Sequence, residues 1–130
     1  MKQRILVADD DPAILKTIKT RLEFENYDVV AAADGEEVLQ HVLSEEKFDL
    51  ILLDVRMPKL DGLQVCKQLK ENPLTKNIPI IIFTASSERW KKLIDQCFDL
   101  GVSFYLKKPF QTKKLIEKVI QAIKESSREA

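Results

Sequence analysis

The chain reads Leu50-Ile51-Leu52-Leu53-Asp54, a run of four apolar residues closed by an aspartate. A second apolar run, Ile5-Leu6-Val7-Ala8, is followed by three acidic residues, Asp9-Asp10-Asp11. Short continuous apolar runs are typical of strands that are buried on both faces of a parallel sheet. The carboxyl ends of such strands share one edge, where open α/β folds place their functional sites. We therefore expect the two acidic groups to meet at that edge.

The same pattern recurs along the chain. Three further strand candidates lie at Val29–Ala32, Ile80–Phe83 and Phe104–Leu106, and segments with helical periodicity separate all five candidates. Short strands that alternate with helices predict a parallel sheet with crossover helices packed on it. The sequence therefore predicts an α/β domain.

Caps and apolar spacing place the helices. Asp11-Pro12 predicts the start of the first helix, Asp34 caps the second, and Gly101 suits the end of the fourth. The expected buried faces of the five helices are, in chain order, Ile14, Leu15, Ile18 and Leu22; Val38, Leu39, Val42 and Leu43; Leu63, Cys66 and Leu69; Trp90, Leu93, Ile94 and Cys97; and Leu115, Ile116, Val119, Ile120 and Ile123. We assign residues 1–124 to one domain and residues 125–130 to a C-terminal tail or the start of a linker.

The composition excludes several classes of function. The chain has 130 residues, of which 45% are hydrophobic, enough for one core. Its 21 basic and 21 acidic residues balance, so we expect no direct binding to nucleic acid or to a membrane surface. The two cysteines, Cys66 and Cys97, sit at apolar helix positions, and no apolar run approaches membrane-spanning length. We expect a reduced, cytoplasmic protein.

The strand ends also predict a chemistry. Thr84 and Lys108 follow the fourth and fifth strand candidates, so they belong at the same edge as the acidic residues. Crowded carboxylates repel one another and are stabilised by a hard divalent cation. Carboxylates, a cation, a hydroxyl and an ammonium group are the parts needed to transfer a phosphoryl group to a side chain. Asp54 is the best candidate for the nucleophile.

Four motifs with this order and spacing resemble the receiver domains of bacterial two-component response regulators, including the single-domain chemotaxis regulator. They are Ile5–Pro12, Leu53–Gly62, Ile78–Ala85 and Tyr105–Phe110, and the match covers essentially the whole chain. The predicted fold is then a doubly wound, five-stranded parallel sheet in the order 2-1-3-4-5, a flavodoxin-like (βα)5 domain with helices on both faces.

The resemblance implies a role for each residue of the acidic group. Asp54 would be the phosphoacceptor and would share a Mg²⁺ ion with its neighbours. Asp10 would bind the ion directly and Asp9 mainly through water. The backbone carbonyl of Arg56 would complete the protein ligands.

The resemblance also implies how the switch works. Thr84 would hydrogen-bond to the phosphoryl group, Lys108 would pair with it, and the rotamer of Tyr105 would report the change. The Lys108–Pro109 peptide would be cis. The phosphoryl donor would be a sensor histidine kinase or a histidine phosphotransfer protein, and the target a downstream protein or a linked output domain. Such a domain catalyses its own phosphorylation and dephosphorylation and turns over no external substrate.

Three features depart from the common family pattern. The segment from Thr84 to Gly101 is about two residues longer, by the spacing of the motifs. The stretch 101–104 lacks the acidic residues through which some members form homodimers. Arg56 occupies a position that tunes the lifetime of the phosphoryl group in this family.

Two other functions share part of this pattern. A dehalogenase-like phosphatase needs a second aspartate two residues after its nucleophile, where this chain has Arg56. The stronger alternative is a receiver-like scaffold that binds its partner without phosphorylation. A complete set of site residues shows that the domain can be phosphorylated and does not show that its function uses phosphorylation.

Overall fold

Strands and helices alternate along the part of the chain that the structure describes. The structure is a computed structural model that describes residues 2–44, 47–57, 59–84 and 90–129. The elements are β1 Arg4–Ala8, α1 Pro12–Phe24, β2 Asp28–Ala32, α2 Gly35–Leu43, β3 Leu50–Asp54, α3 Gly62–Glu71, β4 Ile80–Thr84, α4 Lys91–Asp99, β5 Phe104–Lys107 and α5 Thr112–Glu129.

The five strands form one sheet in the order β2-β1-β3-β4-β5, and all neighbours are parallel. This confirms the predicted fold and strand order. The register pairs Asp54 with Phe83 and Thr84 with Lys107, so the carboxyl ends of β3, β4 and β5 lie level with one another. One edge of the sheet therefore collects the residues at or just beyond the ends of these strands.

Both faces of the sheet are covered. One core cluster joins alternate strand residues such as Leu6 and Ile51 to α2, α3 and α4. The second joins the intervening residues, such as Ile5 and Leu52, to α1 and α5. Every residue from Ile5 to Ala8 is fully buried. Because both faces are buried, the strand sequences are continuous apolar runs and do not alternate with polar residues.

Two helical positions differ from the prediction. The sequence predicts that Leu43 and Ile120 lie on buried faces, but they are 69% and 51% exposed. Each directly follows a buried valine, Val42 or Val119. One residue turns a helix by about 100°, which carries the next side chain away from the buried stripe. Ala122, which the sequence did not predict, is buried on α5 instead.

The predicted helix caps are present. Asp11 accepts a hydrogen bond from the amide of Ala13, and Asp34 accepts one from Glu37. Gly101 follows α4 with a φ of 98°, the left-handed conformation that ends many helices.

The remaining predictions concern the C-terminal end and the segment after Thr84. The structure extends α5 through residues 125–129, so most of the predicted tail is helical, and the boundary at 124 stays a prediction. The extra length predicted between Thr84 and Gly101, in the loop or at the start of the fourth helix, stays a prediction. Residues 85–89, which include the motif residue Ala85, lie outside the described residues, as does Pro58. No helix among the described residues is long and apolar enough to span a membrane.

Candidate functional site

The carboxyl edge of the sheet carries an open cleft of about 330 Å³. Its lining residues are Asp9, Asp10, Asp11, Ile14, Asp54, Arg56, Thr84 and Lys108. The expected convergence of the acidic residues, hydroxyl and ammonium group is thus present in the geometry. Asp11 belongs to the acidic group expected at this edge and is also the predicted cap of the first helix, whereas the sequence predicts Ile14 only as a core residue. Asp11 is the N-cap of α1 and Ile14 lies in its first turn. Because α1 directly follows β1, this position in the sequence could have indicated that Ile14 lies beside the site.

Three carboxylates converge in the cleft. Asp9, Asp10 and Asp54 each offer an oxygen within 4.8 Å of the others. Asp9 is fully buried, Asp54 is 4% exposed, and Asp10 is exposed. Buried carboxylates at this separation repel one another and have lost hydration. Because hard divalent cations take oxygen ligands, this donor set fits an ion such as Mg²⁺.

Lys108 supplies the positive charge among these carboxylates. Its Nζ lies 2.6 Å from Asp9 Oδ2 and 3.1 Å from Asp54 Oδ2, and its side chain is 14% exposed. The backbone amide of Lys108 donates to the carbonyl of Thr84 at 2.8 Å. The peptide between Lys108 and Pro109 is cis, as the resemblance implied. The end of β4 therefore fixes the backbone from which the ammonium group reaches the cleft.

The backbone orients the two buried carboxylates. Asp54 Oδ1 accepts a hydrogen bond from the amide of Arg56 at 3.0 Å, and Asp9 Oδ1 accepts one from Asp11 at 2.9 Å. In each case the second oxygen, Oδ2, faces Lys108. The side chain of Arg56 is exposed at the rim of the cleft.

Burial governs the charge state of Asp54. Burial and, to a smaller extent, the charge of Asp9 raise the pKa of Asp54, while the Arg56 amide and Lys108 lower it, and the net pKa is about 6. Burial alone would lower the pKa of Lys108, but its hydrogen bond to Asp9 and the charges of both carboxylates hold it above its ordinary value. Lys108 therefore remains an ammonium group at neutral pH, and an added cation would favour ionised Asp54.

Thr84 and Tyr105 occupy neighbouring strands on the same face of the sheet. Thr84 is 1% exposed and lines the cleft. Tyr105 is half-buried, pairs with Ile82 and packs against the core beneath α2, α3 and α4. Thr84 pairs with Lys107, two residues beyond Tyr105, and side chains two apart on a strand share a face. The structure thus places Tyr105 behind Thr84 and outside the cleft lining.

The sequence is similar to a known protein family and to curated transcriptional regulators. A family model of the response regulator receiver domain matches residues 5–120. The alkaline phosphatase synthesis transcriptional regulatory protein PhoP of Bacillus subtilis (strain 168) is 40% identical over 126 residues, which cover 97% of this chain and 50% of that protein. The DNA-binding dual master transcriptional regulator RpaA of Synechocystis is 38% identical over 125 residues, covering 96% and 51%. The chain spans about half the length of these curated relatives.

Solved structures share the fold. A CheY-like response regulator receiver domain protein from Methanospirillum hungatei JF-1 has a TM-score of 0.90 and 30% identity, covering 100% of both chains. The receiver domain of sensor histidine kinase PA1611 from Pseudomonas aeruginosa PAO1 has a TM-score of 0.85 and 28% identity, covering 95% of this chain and 98% of that one. That receiver was crystallised with a magnesium ion coordinated in its active site cleft.

Proposed function

The chain belongs to the response regulator receiver domain family, and we propose that it is a phosphorylation-controlled switch with Asp54 as its phosphoacceptor. Receiver domains of this family are signalling switches and not turnover enzymes on external substrates. The observation that supports Asp54 is its position in the cleft, with Oδ2 only 3.1 Å from the ammonium group of Lys108. A buried carboxylate beside a fixed cation suits a nucleophile that gains a phosphoryl group.

The transfer itself is a displacement at phosphorus. Oδ2 of Asp54 forms a bond to phosphorus while the bond from phosphorus to the donor's histidine nitrogen breaks, giving an acyl phosphate. Lys108 pairs with the phosphoryl oxygens that arrive beside Oδ2, and the hydroxyl of Thr84 donates a hydrogen bond to them. The amide of Arg56 holds Oδ1, so the attacking oxygen is oriented before the donor arrives.

The carboxylates of Asp9, Asp10 and Asp54 and the backbone carbonyl of Arg56 would hold Mg²⁺. When bound, the ion supplies positive charge that offsets the charge on the phosphoryl oxygens. The close approach of three carboxylate oxygens supports this assignment, as does the magnesium ion in the cleft of the PA1611 receiver.

The readout follows from the placement of Thr84 and Tyr105. Movement of Thr84 toward the phosphoryl group leaves space on the face that it shares with Tyr105, and the tyrosine ring turns into it. The surface formed by α4, β5 and α5 changes in consequence. A shift from mostly inactive to mostly active takes roughly 5 kcal/mol of differential stabilisation.

The proposed partners are those of a two-component pathway. The phosphoryl donor is a sensor histidine kinase or a histidine phosphotransfer protein, and the target is a downstream protein or a linked output domain. Curated relatives about twice as long include transcriptional regulators, which supports an output of that kind. This domain itself is proposed to bind neither nucleic acid nor a membrane. Its cytoplasmic location and its oligomeric state stay predictions.

Intact-mass spectrometry after incubation with acetyl phosphate tests the proposal. We expect one phosphoryl adduct on the wild-type protein in the presence of Mg²⁺, less without the ion, and none on Asp54→Asn. Asp99→Asn, at an exposed position of α4, is the matched control and should retain the adduct. Absence of an adduct on the wild-type protein, even with candidate histidine kinases, would favour the phosphorylation-independent scaffold.

A further inference from the structure

Between β3 and α3 the structure describes residues 55–57 and 59–61, which we call the β3–α3 loop, and Lys59 in this loop has an unusual backbone. Its φ is 68°, in the left-handed region that residues other than glycine rarely adopt. The ammonium group of Lys59 lies 3.4 Å from Asp34 Oδ2 and 3.7 Å from Glu36 Oε2. The left-handed residue is therefore paired with the first turn of α2.

Asp34 serves two elements at once. Its Oδ1 caps α2 by accepting a hydrogen bond from the amide of Glu37 at 2.9 Å, while Oδ2 faces Lys59. The Glu37 amide lowers the pKa of Asp34, and Lys59 lowers it further. The carboxylate thus stays ionised at neutral pH and ties the loop to the helix.

The loop and α2 also approach each other closely at Gly35. A Cβ atom on Gly35 would lie 2.6 Å from the carbonyl oxygen of Leu60 and 2.7 Å from its Cβ. At the other side of the loop, the amide of Gly62 donates to the carbonyl of Val55 at 2.8 Å, and a Cβ on Gly62 would lie 2.7 Å from Val55 Cα. Leu60 is therefore in close contact with the start of α2, and Val55 with the start of α3.

From these contacts we propose that the pair Lys59–Asp34, together with the close approach at Gly35, forms a clamp that positions the backbone carbonyl of Arg56 for the divalent cation. We call these three residues the loop clamp. Among the described residues, those that line the cleft include no member of the loop clamp. The clamp residues therefore act as positioning residues for the Arg56 carbonyl and do not contact the cation. The inference rests on the proposed function, because the cation site is part of it.

The clamp connects two parts of the site. One end of the loop is fixed because the Arg56 amide donates to Asp54, the last residue of β3. The ion pair with Asp34 holds Lys59, three positions after Arg56, against the start of α2. A carbonyl between two fixed points keeps its direction, and residues that orient ligands in this way tune the affinity of metal sites.

Two variants remove the ion pair with little other change. Lys59→Gly retains the left-handed backbone and loses the ammonium group. Asp34→Asn retains a side-chain oxygen that can cap α2 and loses the charge. Lys67→Ala, at an exposed position of α3, is the control for loss of a lysine.

The readout is the dissociation constant of Mg²⁺, measured by isothermal titration calorimetry. Lys59 is largely exposed, so we expect each single variant to bind Mg²⁺ about threefold more weakly and the double variant to be no weaker than either. The ratio of variant to wild type should fall toward one in high salt, because salt screens the pair. Phosphorylation at saturating Mg²⁺ should stay at the wild-type rate, and Lys67→Ala should match the wild type throughout.

The outcomes separate this inference from the proposed function. Wild-type protein that binds no Mg²⁺ would overturn the cation site and the clamp together. Variants that bind Mg²⁺ as tightly as wild type would overturn the clamp alone, even if urea unfolding showed a loss of stability. Additive effects of the two variants would also overturn it, because they would show that Lys59 and Asp34 act independently.

Discussion

Lys108 Nζ and Asp54 Oδ2 lie 3.1 Å apart in a cleft where both side chains are largely buried. The same ammonium group lies still closer to Asp9, at 2.6 Å. Before phosphorylation, Lys108 therefore compensates the buried negative charge, and afterwards it is already in place for the phosphoryl oxygens. One residue thus contributes both to the stability of the domain and to its proposed chemistry.

Replacement of Lys108 separates these contributions. Lys108→Met keeps the length of the side chain but leaves Asp9 and Asp54 without their cation, so we expect the free energy of unfolding to fall by about 3 kcal/mol in EDTA. Added Mg²⁺ should restore part of the loss. Urea unfolding with and without the ion measures both effects, with the exposed Lys107→Met as control. An unchanged free energy of unfolding would show that Lys108 does not compensate these carboxylates.

Replacement of Asp54 should have the opposite effect on stability. Asp54→Asn removes a buried charge and its repulsion with Asp9, while its side-chain oxygen can still accept from the Arg56 amide. Lys108 keeps its shorter contact with Asp9. We expect the free energy of unfolding to rise by about 1 kcal/mol at neutral pH in EDTA, measured by urea unfolding. A variant less stable than wild type would show that the pair with Lys108 outweighs the cost of burying the charge.

Much of this arrangement could be predicted from the sequence, because the strands are buried on both faces. Strands buried on both faces appear in the sequence as continuous apolar runs, such as Ile5–Ala8 and Leu50–Leu53. The residues that follow these runs lie at the carboxyl edge of the sheet. Asp54 and Thr84 are the last residues of their strands and not the first residues after them. That difference of one residue leaves the predicted convergence unchanged.

The contacts of the loop clamp could not be predicted in this way. Lys59 meets Asp34 across 25 positions of sequence, and neither residue belongs to a periodic pattern that would pair them. The need for glycine at position 35 depends on the carbonyl of Leu60, which only the folded chain brings near. The prediction of buried helix faces was wrong at Ile120 for a simpler reason. An apolar residue beside a buried stripe can be either buried or exposed, and the packing of the neighbouring elements decides which.

Thr84→Ala should separate phosphorylation from its readout. Loss of the hydroxyl leaves Asp54 and Lys108 in place, so we expect the phosphoryl adduct to form largely as in wild type. The signal to Tyr105 should weaken, seen as smaller phosphorylation-induced NMR shifts across α4, β5 and α5 and as weaker binding of a phosphorylation-dependent partner. Thr84→Ser retains the hydroxyl and serves as control. Equal partner affinity of the phosphorylated alanine variant and wild type would count against the coupling.

Arg56→Ala tests whether the side chain at the rim of the cleft protects the phosphoryl group. The guanidinium group can pair with phosphoryl oxygens or obstruct the attacking water. We therefore expect the alanine variant to lose its phosphoryl group about fivefold faster, which corresponds to about 1 kcal/mol, the net contribution of a typical hydrogen bond. The decay of the adduct, followed by intact mass after removal of the donor, measures this rate. An unchanged rate in Arg56→Ala, with Lys67→Ala as control, would remove the protective role.

Gly35→Ala tests the close approach between α2 and the loop after β3. Alanine at the first residue of a helix would normally favour the helix, but here its Cβ would lie 2.6 Å from the carbonyl oxygen of Leu60. We expect the free energy of unfolding to fall by about 2 kcal/mol and Mg²⁺ to bind more weakly.

Gly101→Ala is the comparator for this variant. Its Cβ would meet only the end of the Lys70 side chain, at 3.9 Å, but its φ of 98° strains any other residue. It should lower the free energy of unfolding by about 1 kcal/mol and leave Mg²⁺ affinity unchanged. If both variants lost stability but neither lost Mg²⁺ affinity, the contact at Gly35 would contribute to folding without positioning the loop. Weaker Mg²⁺ binding in Gly35→Ala alone would connect that contact to the cation site.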